Sequence, residues 1–438
     1  MRILIVTPEY PPDYAGGIGS YYAALVPALE AVGCEVTVLH GSAFRQAQDP
    51  PDIADSRRIL LERSYLDKWI GQFSHLAMFP MLSRHLAAAF ALHEQAQSHG
   101  TFDVVEATDW GFGFLPWVVD DRVRLLIQLH GSCGQISAKE PAVGHEAEGM
   151  VEALIEQTSF AMAPCVSSHG PTTADYWQRR LGRRVDYLAP PVQAMRNQAA
   201  QPSSESYWLT LGRIQEWKGP DVACAAWEAL DSAVPSLHWH GRDTTDASGR
   251  SKSMALARSF PEVWGSRVLP RGTATRVEAA ALIRNAKAVL VPSTWDVFNL
   301  AAAEAMLAGK PVVVSDGAGA SELIDDGVNG FVFESGNAQA LADTVRRVEA
   351  MPAAELRDIG VAARTTATEK LDPLRIARGK MLLYESVRLP TASLSAEWLR
   401  EWLLSPTRGG ALDFLESMPL RPLAEYVLRR SARKVGLR

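Results

Sequence analysis

The stretch that decides the fold is VPSTWDVFNLAAAEAMLAGKPVVVSDGAGASELIDDGVNGFVF, residues 291–333. A β-rich run ends at Val291, an alanine-rich helical segment begins near Leu300, and a second β-rich run begins at Pro311. Apolar strands separated by a helix predict a parallel β-α-β unit, with helices on both faces of the sheet. Ligands of such sheets bind beyond the carboxyl ends of the strands, so the loop after Val291 is a candidate binding loop.

The same alternation continues over the rest of the second half of the chain. Short β-rich runs are predicted as strands, and the Ala- and Leu-rich segments between them as helices. The predicted strands are Tyr207–Leu211, Leu237–His240, Ala288–Val291, Pro311–Ser315 and Gly330–Phe333, and the predicted helices are Pro220–Leu230, Val277–Arg284, Leu300–Ala308 and Ala338–Glu349.

The first half shows a second series of such units, and the polar stretch NQAAQPSSES, residues 197–206, is predicted as the linker between the two series. A chain of 438 residues is long for a single core, which also favours two domains. The predicted fold class is α/β, with two Rossmann-like doubly wound domains facing across a cleft. In this half the predicted strands are Ile3–Thr7, Glu35–Leu39, Val104–Ala107, Leu125–Leu129 and Cys165–Ser167, with helices such as Tyr21–Val32 and Leu82–Gln97 between them.

The composition of the chain argues against several classes of protein. The apolar fraction is 47%, the charged fraction is 21% and the net charge is −6, which argues against a general nucleic-acid-binding protein. No run of apolar residues is long enough to predict a membrane span, and the apolar N-terminus is too short for a signal peptide. The four cysteines stand far apart without metal-ligand spacing, so we expect no metal site, no disulfide framework and a cytoplasmic location.

The loop after Val291 carries candidate binding groups. Asp296 lies on the loop and Glu304 lies eight residues later, inside the predicted helix. Exposed amides at the start of this helix suit a diphosphate, and carboxylates suit the hydroxyls of a ribose or hexose. The alternative is a solvent-facing aspartate and an ordinary helical glutamate. The amides belong to Val297, Phe298, Asn299 and Leu300.

Two further segments predict anion binding. In YWLTLGRIQEWKGPD, Arg213 and Lys218 follow a strand end, where two fixed cations suit a diphosphate; the alternative is a solvated turn. Near the N-terminus, Gly16 and Gly17, followed by Gly19, lie between a strand and a helix, so backbone N–H groups can approach an anion there. The alternative for this second segment is a flexible surface loop.

Together these segments resemble the retaining GT-B glycosyltransferases grouped as family 4, over roughly residues 1–390. The matching pattern is Pro-Ser after a strand, Asp296, then Glu304-Ala-Met, Gly309 and a Pro-Val-Val strand, together with the glycine-rich loop and the GR…KG segment. The resemblance implies that Arg213 and Lys218 bind the donor diphosphate and that Glu304 binds the nucleotide ribose.

The resemblance also assigns His130, in the run QLHG, a position facing the donor sugar. Two residues depart from the family pattern. Asp296 replaces the usual glutamate that contacts the donor sugar, and its side chain is about 1.5 Å shorter. Asn299 stands where the family often has glycine. No motif supports His169, His238 or His240, which are interpreted as structural, and Trp295 is interpreted as a packing residue.

The implied function is a metal-independent retaining hexosyltransferase of carbohydrate biosynthesis, which transfers a sugar from a nucleotide-diphosphate-sugar to a hydroxyl. No Asp-x-Asp metal motif is present, and Arg213 and Lys218 are expected to replace a metal. The donor is the only cofactor-like ligand expected, and the acceptor is a sugar, a lipid-linked molecule or a small molecule. The alternatives are a GT-B-like epimerase or phosphorylase, although no pyridoxal-lysine motif is found, and a non-catalytic nucleotide-sugar-binding module.

The expected organisation is an acceptor-binding domain over residues 1–196, a donor-binding domain over 207–370, a helix crossing back over 371–390, and an extension over 391–438. The end of the extension, PLRPLAEYVLRRSARKVGLR, places apolar residues at helical spacing beside a basic cluster. Packing of this helix on the N-terminal domain is the favoured interpretation. The alternative is peripheral binding to an anionic inner membrane face, which suits a lipid-linked acceptor.

Overall fold

A computed structural model describes residues 1–12, 16–44, 57–120, 122–140, 146–194, 206–245, 250–389, 397–399, 401, 416 and 419–434. These residues form two parallel β-sheets, each flanked by helices. The predicted α/β class with two Rossmann-like sheets is confirmed. Most of the predicted strand boundaries lie within one residue of the observed ones.

The first sheet has the strand order β3-β2-β1-β4-β5-β6-β7. Its strands are β1 (Arg2–Thr7), β2 (Glu35–His40), β3 (Arg58–Leu60), β4 (Val104–Thr108), β5 (Arg124–Gln128), β6 (Cys165–Ser168) and β7 (Asp186–Tyr187). The helices of this half are α1 (Gly17–Ala31), α2 (Arg63–Gln72), α3 (Pro80–Ala96), α4 (Leu115–Val118), α5 (Cys133–Lys139), α6 (Glu146–Met162) and α7 (Pro171–Leu181).

The second sheet has the order β10-β9-β8-β11-β12-β13. Its strands are β8 (Trp208–Leu211), β9 (Leu237–His240), β10 (Val268–Pro270), β11 (Ala288–Val291), β12 (Val312–Ser315) and β13 (Phe331–Phe333). The helices that follow in the chain are α8 (Pro220–Glu228), α9 (Lys252–Ser259), α10 (Arg276–Asn285), α11 (Leu300–Leu307), α12 (Ala338–Ala350), α13 (Ala353–Lys370), α14 (Pro373–Ser386) and α15 (Leu420–Lys434).

Burial explains why the central strands are apolar on both faces. Every residue of β4 is buried, and β1 hydrogen-bonds to β2 on one side and to β4 on the other, with Ile3 opposite both Val36 and Val104. Because helices cover both faces of the sheet, the side chains on both faces of a central strand are buried, and the strand is apolar along its whole length. The three short strands β3, β7 and β10 were not predicted from the sequence.

Helix α14 returns from the second half of the chain to the first. It packs against α1, and its buried face contains Ile376, Ala377, Lys380 and Tyr384. The backbone N–H of Val192 donates to the carbonyl of Leu371 just before this helix. The predicted linker, residues 197–206, lies outside the described residues except for its last position.

Helix α15 is the described part of the C-terminal extension. The side chains of Leu420, Val427 and Leu428 are exposed, so the favoured interpretation that this helix packs on the N-terminal domain is wrong for these residues. In the part of the chain that the structure describes, no helix is both long and apolar enough to cross a bilayer.

Candidate active site

A cavity of about 690 Å³ lies between the carboxyl ends of the two sheets. Residues of both halves line it, which follows from two parallel sheets whose strand ends face each other. The sequence-predicted residues in its wall are Gly16, Gly17, His130, Arg213, Lys218, Asp296, Val297, Phe298, Asn299 and Leu300. The structure therefore brings all of the predicted site residues except Glu304 into the lining of one cavity.

An ion pair connects the two segments of the second half. The Lys218 Nζ atom donates to Asp296 Oδ2 at 2.6 Å, and Asn299 Nδ2 donates to the same oxygen at 2.9 Å. Lys218 Nζ also lies 4.3 Å from the ring centroid of Trp217. The lysine is thus held by a carboxylate and an aromatic face.

Asn299 begins helix α11 in a conformation that favours glycine. Its φ is +83°, and its side-chain oxygen accepts a hydrogen bond from the Ala302 N–H as an N-cap. Asparagine tolerates this left-handed region better than most residues, so it replaces glycine without losing the turn. The N–H groups of Val297, Phe298 and Asn299 donate to no other described residue, and they remain available to an anion in the cavity.

Arg213 is exposed at the end of β8 and forms no ion pair with any described residue. The turn that brings Lys218 near it depends on Gly219, whose φ is +74°. A Cβ atom at Gly219 would lie 1.9 Å from the Pro292 carbonyl oxygen, so the turn packs directly on the strand that precedes the Asp296 loop. This packing places the two cations on the same wall of the cavity.

Glu304 lies in α11, outside the residues that line the large cavity. Burial raises the pKa of its carboxyl to about 7, and the positive charge of Arg276 opposes this rise. The carboxylate hydrogen-bonds to none of the described side chains. A half-buried carboxylate without a partner is suited to accept hydroxyl groups from a ligand.

The carboxylate of Glu9 lies beside the glycine-rich loop, and the sequence analysis did not predict it there. The Glu9 carboxylate accepts a hydrogen bond from the Gly19 N–H at 2.8 Å, at the start of α1. A Cβ atom at Gly16 would lie 2.7 Å from a Glu9 oxygen, so glycine is needed there for the loop to pack on the carboxylate. Part of the anion-binding capacity of this helix N-terminus is therefore occupied by Glu9.

His130 lies at the end of β5 in contact with several side chains of the first half. Asp109 accepts hydrogen bonds from the backbone N–H groups of His130 and Gly131, at 2.8 and 3.0 Å. Burial raises the pKa of Asp109 to about 7, although these hydrogen bonds oppose the rise. Burial, with contributions from His169 and Lys380, holds the pKa of His130 well below its usual value, so its ring is neutral.

The sequence interpretation missed His169 as a part of this site. Its Nε2 atom lies 3.1 Å from His130 Nδ1, and its ring also lines the cavity. The ring of Tyr21 packs against both histidines, with centroid distances of 4.9 and 4.6 Å. His130 and His169 lie 39 residues apart in the chain, and only the pairing of β5 with β6 brings them together.

Trp295 has a role at the cavity as well as in packing. Its ring lies 5.3 Å from that of Trp217, and its edge limits the space beside Gly131. A second cavity, of about 390 Å³, meets the first at Trp295 and Asp296. Trp295 and Asp296 thus line both cavities.

One buried group in the described part of the chain combines residue types that bind metals. His85, Cys133 and Glu152 have ligand atoms within 4.8 Å of one another. None of the three lines the large cavity, so the group lies apart from the predicted phosphate-binding cations. All four cysteines of the chain are buried free thiols.

Comparison of the sequence with known proteins finds glycosyltransferases. Residues 192–366 match the family model described as glycosyl transferases group 1. The D-inositol 3-phosphate glycosyltransferase of Xylanimonas cellulosilytica is 29% identical over an alignment of 356 residues, which covers 76% of this chain and 82% of that protein. The glycogen synthase of Mycobacterium tuberculosis is 27% identical over 413 residues, covering 88% of this chain and 94% of the synthase.

Solved structures show the same fold. The sucrose-phosphate synthase of Thermosynechococcus elongatus superposes with a TM-score of 0.70 at 21% identity, covering 88% of this chain and 98% of that one. Anabaena HepE in complex with UDP-glucose gives a TM-score of 0.61 at 16% identity, covering 88% of this chain and all of HepE. With its two facing Rossmann-like sheets and its cleft, this chain has the GT-B fold, and its residues 192–366 match the group 1 glycosyltransferases.

Proposed function

We propose that this protein transfers a hexose from a nucleoside-diphosphate-sugar to an acceptor hydroxyl, with retention of the anomeric configuration. The observation that carries the proposal is the arrangement of Arg213, Lys218 and Asp296 in one cavity wall with the free amides that precede α11. Two cations and a helix N-terminus suit a diphosphate, and the adjacent carboxylate suits sugar hydroxyls.

The two cations act on the leaving group. As the glycosidic bond breaks, negative charge grows on the departing diphosphate, and charged donors that are already in position stabilise it. Arg213 is unpaired among the described residues and offers its full charge. Lys218 is shared with Asp296, so the position of the cation is coupled to the residue proposed to hold the donor sugar.

Glu304 is proposed to hold the ribose of the nucleotide. A carboxylate can accept hydrogen bonds from both ribose hydroxyls, and Glu304 has no competing hydrogen-bond partner among the described residues. The structure of HepE with UDP-glucose supports a nucleotide-sugar as the class of donor. Retention is proposed to follow from attack by the acceptor on the face that the diphosphate leaves, with a phosphate oxygen as the base.

We further propose that the phosphate-binding step needs no metal, because Arg213 and Lys218 supply the positive charge a metal would otherwise provide. Removal of metal ions tests whether sugar transfer needs a metal. Transfer at an unchanged rate after treatment with a chelator supports the proposal, and loss of transfer that is restored by a divalent cation at the phosphate site contradicts it.

A panel of nucleotide-sugars tests the function. Donors that bind raise the melting temperature by mass action, and those hits are then incubated with candidate acceptors. Proton NMR of the product reports the configuration at the anomeric carbon. Formation of a product with the donor's configuration supports the proposal. Binding without transfer or hydrolysis would instead favour a non-catalytic nucleotide-sugar-binding module.

We propose that the acceptor is presented at an anionic membrane surface to which α15 binds. The helix carries Arg421, Arg429 and Arg430 beside the exposed apolar residues Val427 and Leu428. Each basic residue near such a surface contributes about 1 kcal/mol to binding, and apolar side chains add to this when they insert between headgroups. A lipid-linked acceptor is the class that such binding would bring to the cleft.

A further inference from the structure

Three buried glutamates lie along one face of helix α6. Glu148, Glu152 and Glu156 are 3%, 4% and 1% exposed, and they follow one another at intervals of four residues. Side chains at this spacing share one face of a helix. Because a buried carboxylate costs free energy unless hydrogen bonds or a cation compensate it, the contacts of these three side chains show what this face of α6 holds.

The two outer glutamates each hold the start of another helix. Glu148 accepts hydrogen bonds from the backbone N–H groups of Met81 and Leu82, in the first turn of α3, at 2.6 and 2.8 Å. Glu156 accepts one from the N–H of Gly134, at the start of α5, with both oxygens at 3.1 Å. Helices α3 and α5 are thereby fixed against the same face of α6.

The middle glutamate lies beside one side chain from each of those two helices. His85 of α3, Cys133 of α5 and Glu152 are all buried, and their ligand atoms lie within 4.8 Å of one another. The His85 Nε2 atom lies 3.9 Å from Cys133 Sγ. In a tetrahedral zinc site, with bonds of about 2.0–2.3 Å, the ligand atoms lie about 3.3–3.6 Å apart. The separations in the structure exceed these by about 1.5 Å at most, which side-chain rotation can close.

The three donor atoms suit zinc better than the common hard cations. Zinc accepts sulfur, imidazole nitrogen and carboxylate oxygen, whereas Mg²⁺ and Ca²⁺ are held by oxygen ligands. When zinc binds, the Cys133 thiol loses its proton to solvent, and the sulfur coordinates the ion as a thiolate.

Neighbouring groups support two of these ligands. The backbone N–H of Gly111 donates to Cys133 Sγ at 3.4 Å, and the Ser137 hydroxyl donates to Glu152 Oε2 at 3.3 Å. An N–H group directed at the sulfur favours the thiolate, and a hydroxyl that donates to a carboxylate orients it toward a metal. Hydrogen bonds of this kind are typical of metal ligands in proteins.

We propose that His85, Cys133 and Glu152 bind one Zn²⁺ ion, which joins α3, α5 and α6. Helix α5 follows Gly131, and both Gly131 and Ile136 of α5 line the large cavity, so the ion stabilises the first-half wall of the cleft. None of its three ligands lines that cavity, so the ion takes no part in phosphate binding. The spacing of the cysteines did not predict this site, because its ligands come from three separate helices.

Elemental analysis of the tag-free, full-length protein tests the site directly. The protein is kept reduced, freed of metal with a chelator, given Zn²⁺ and desalted. We expect about one zinc ion per chain, as expected for one group of three ligands, and a higher melting temperature with Zn²⁺ than without it. Mg²⁺ at the same concentration should leave the melting temperature unchanged. A wild-type protein that retains far less than one zinc ion per chain would overturn the proposal.

Substitutions identify the ligands. Cys133→Ser should weaken zinc binding by roughly 10²-fold or more, since loss of a ligand costs at least as much as loss of a group that orients one. Ser137→Ala removes such an orienting group and should weaken binding by roughly tenfold or more. Cys34→Ser is the matched control, because Cys34 is also a buried free thiol of the first half but lies outside the group. Equal zinc affinity in Cys133→Ser and Cys34→Ser would contradict the site.

Cobalt in place of zinc reports the thiolate ligand without any variant. Co²⁺ bound by a thiolate gives a strong charge-transfer absorption in the near ultraviolet, which we expect in the cobalt-loaded wild-type protein. Cobalt-loaded wild-type protein without this absorption would overturn the proposal. Neither the metal content nor the absorption requires a nucleotide-sugar, so both measurements decide the zinc site even if the proposed sugar transfer is not found.

Discussion

The Nζ atom of Lys218 lies 2.6 Å from Oδ2 of Asp296. The pair joins the turn after β8 to the loop after β11, and these are the two segments proposed to hold the donor. A donor diphosphate must therefore share Lys218 with a carboxylate, whereas Arg213 has no such partner among the described residues. The two cations are thus expected to respond differently to substitution.

Arg213→Ala should leave the free energy of unfolding within about 0.5 kcal/mol of the wild-type value, because the side chain is exposed and unpaired. Lys218→Ala should lower it by about 1–3 kcal/mol, because Asp296 loses a charged hydrogen bond. Urea denaturation measures both. Arg357→Ala, on the exposed face of α13, is the matched control. Equal destabilisation by the two substitutions would contradict the ion pair.

Glu304→Gln and Asp296→Asn should separate binding of the nucleotide from binding of the sugar. Ribose is present in both the free nucleoside diphosphate and the donor, so Glu304→Gln should weaken binding of both ligands. Asp296→Asn should weaken binding of the intact donor more than binding of the free diphosphate. Isothermal calorimetry with each ligand measures the difference. Equal losses for the two ligands in Asp296→Asn would remove this residue from the sugar site.

Binding of nucleoside diphosphate should depend on pH near neutrality. The pKa of Glu304 is raised to about 7, and only the ionised carboxylate accepts hydrogen bonds from two hydroxyls. The affinity should therefore rise between pH 6 and 8 in the wild-type protein, relative to Glu304→Gln. Binding curves across that range, with the Glu304→Gln variant as reference, test the assignment. The same pH dependence in both proteins would contradict it.

The raised pKa of Glu304 also predicts an effect on stability. Because the folded pKa lies above the ordinary value of 4.5, folding favours the protonated form, and this contribution is lost as the pH rises to about 7. Above that pH, Glu304→Gln should stabilise the unliganded protein by roughly 1–3 kcal/mol, with a smaller effect near pH 5. A residue that weakens folding and strengthens ligand binding is typical of a functional site.

Helix α15 should bind anionic vesicles in a salt-sensitive manner. Sedimentation with phosphatidylserine-containing liposomes is expected to recover the full-length protein at low salt and to leave a variant lacking residues 418–438 in solution. Screening by salt should weaken binding, because the contribution of the arginines is electrostatic. Val427→Asp tests the apolar face, and Arg357→Ala again serves as a control outside the helix. If the full-length protein does not sediment with the liposomes at low salt, the membrane proposal is contradicted.

The parallel strands could be predicted because each one is a locally apolar run. Leu237–His240 and Ala288–Val291 were predicted with the observed boundaries, since burial on both faces gives a continuous signal. Strand β3, at Arg58–Leu60, is three residues long, lies at the sheet edge and is only half-buried, so it lacks that signal. Short edge strands depend on pairing with a neighbour, which sequence periodicity does not report.

The site could be predicted where its groups lie close together in the chain. Asp296 and the amides before α11 share one loop, and the fold brings Arg213 and Lys218 beside them through an adjacent strand. His169 and Lys380 could not be predicted in this way. Lys380 reaches Gln128 across 252 residues of sequence, and no local pattern marks two positions that only the crossing helix brings together.

The most direct test of the central claim is the rate at which nucleoside diphosphate is released from a panel of nucleotide-sugars with an acceptor present. The wild-type protein is expected to release it from at least one donor, with the sugar transferred in its original anomeric configuration. Arg213→Ala and Lys218→Ala should each reduce the rate by roughly 10²-fold or more, because each removes a positive charge that stabilises the departing diphosphate. Near-normal rates in both variants, or a product of inverted configuration, would contradict the account.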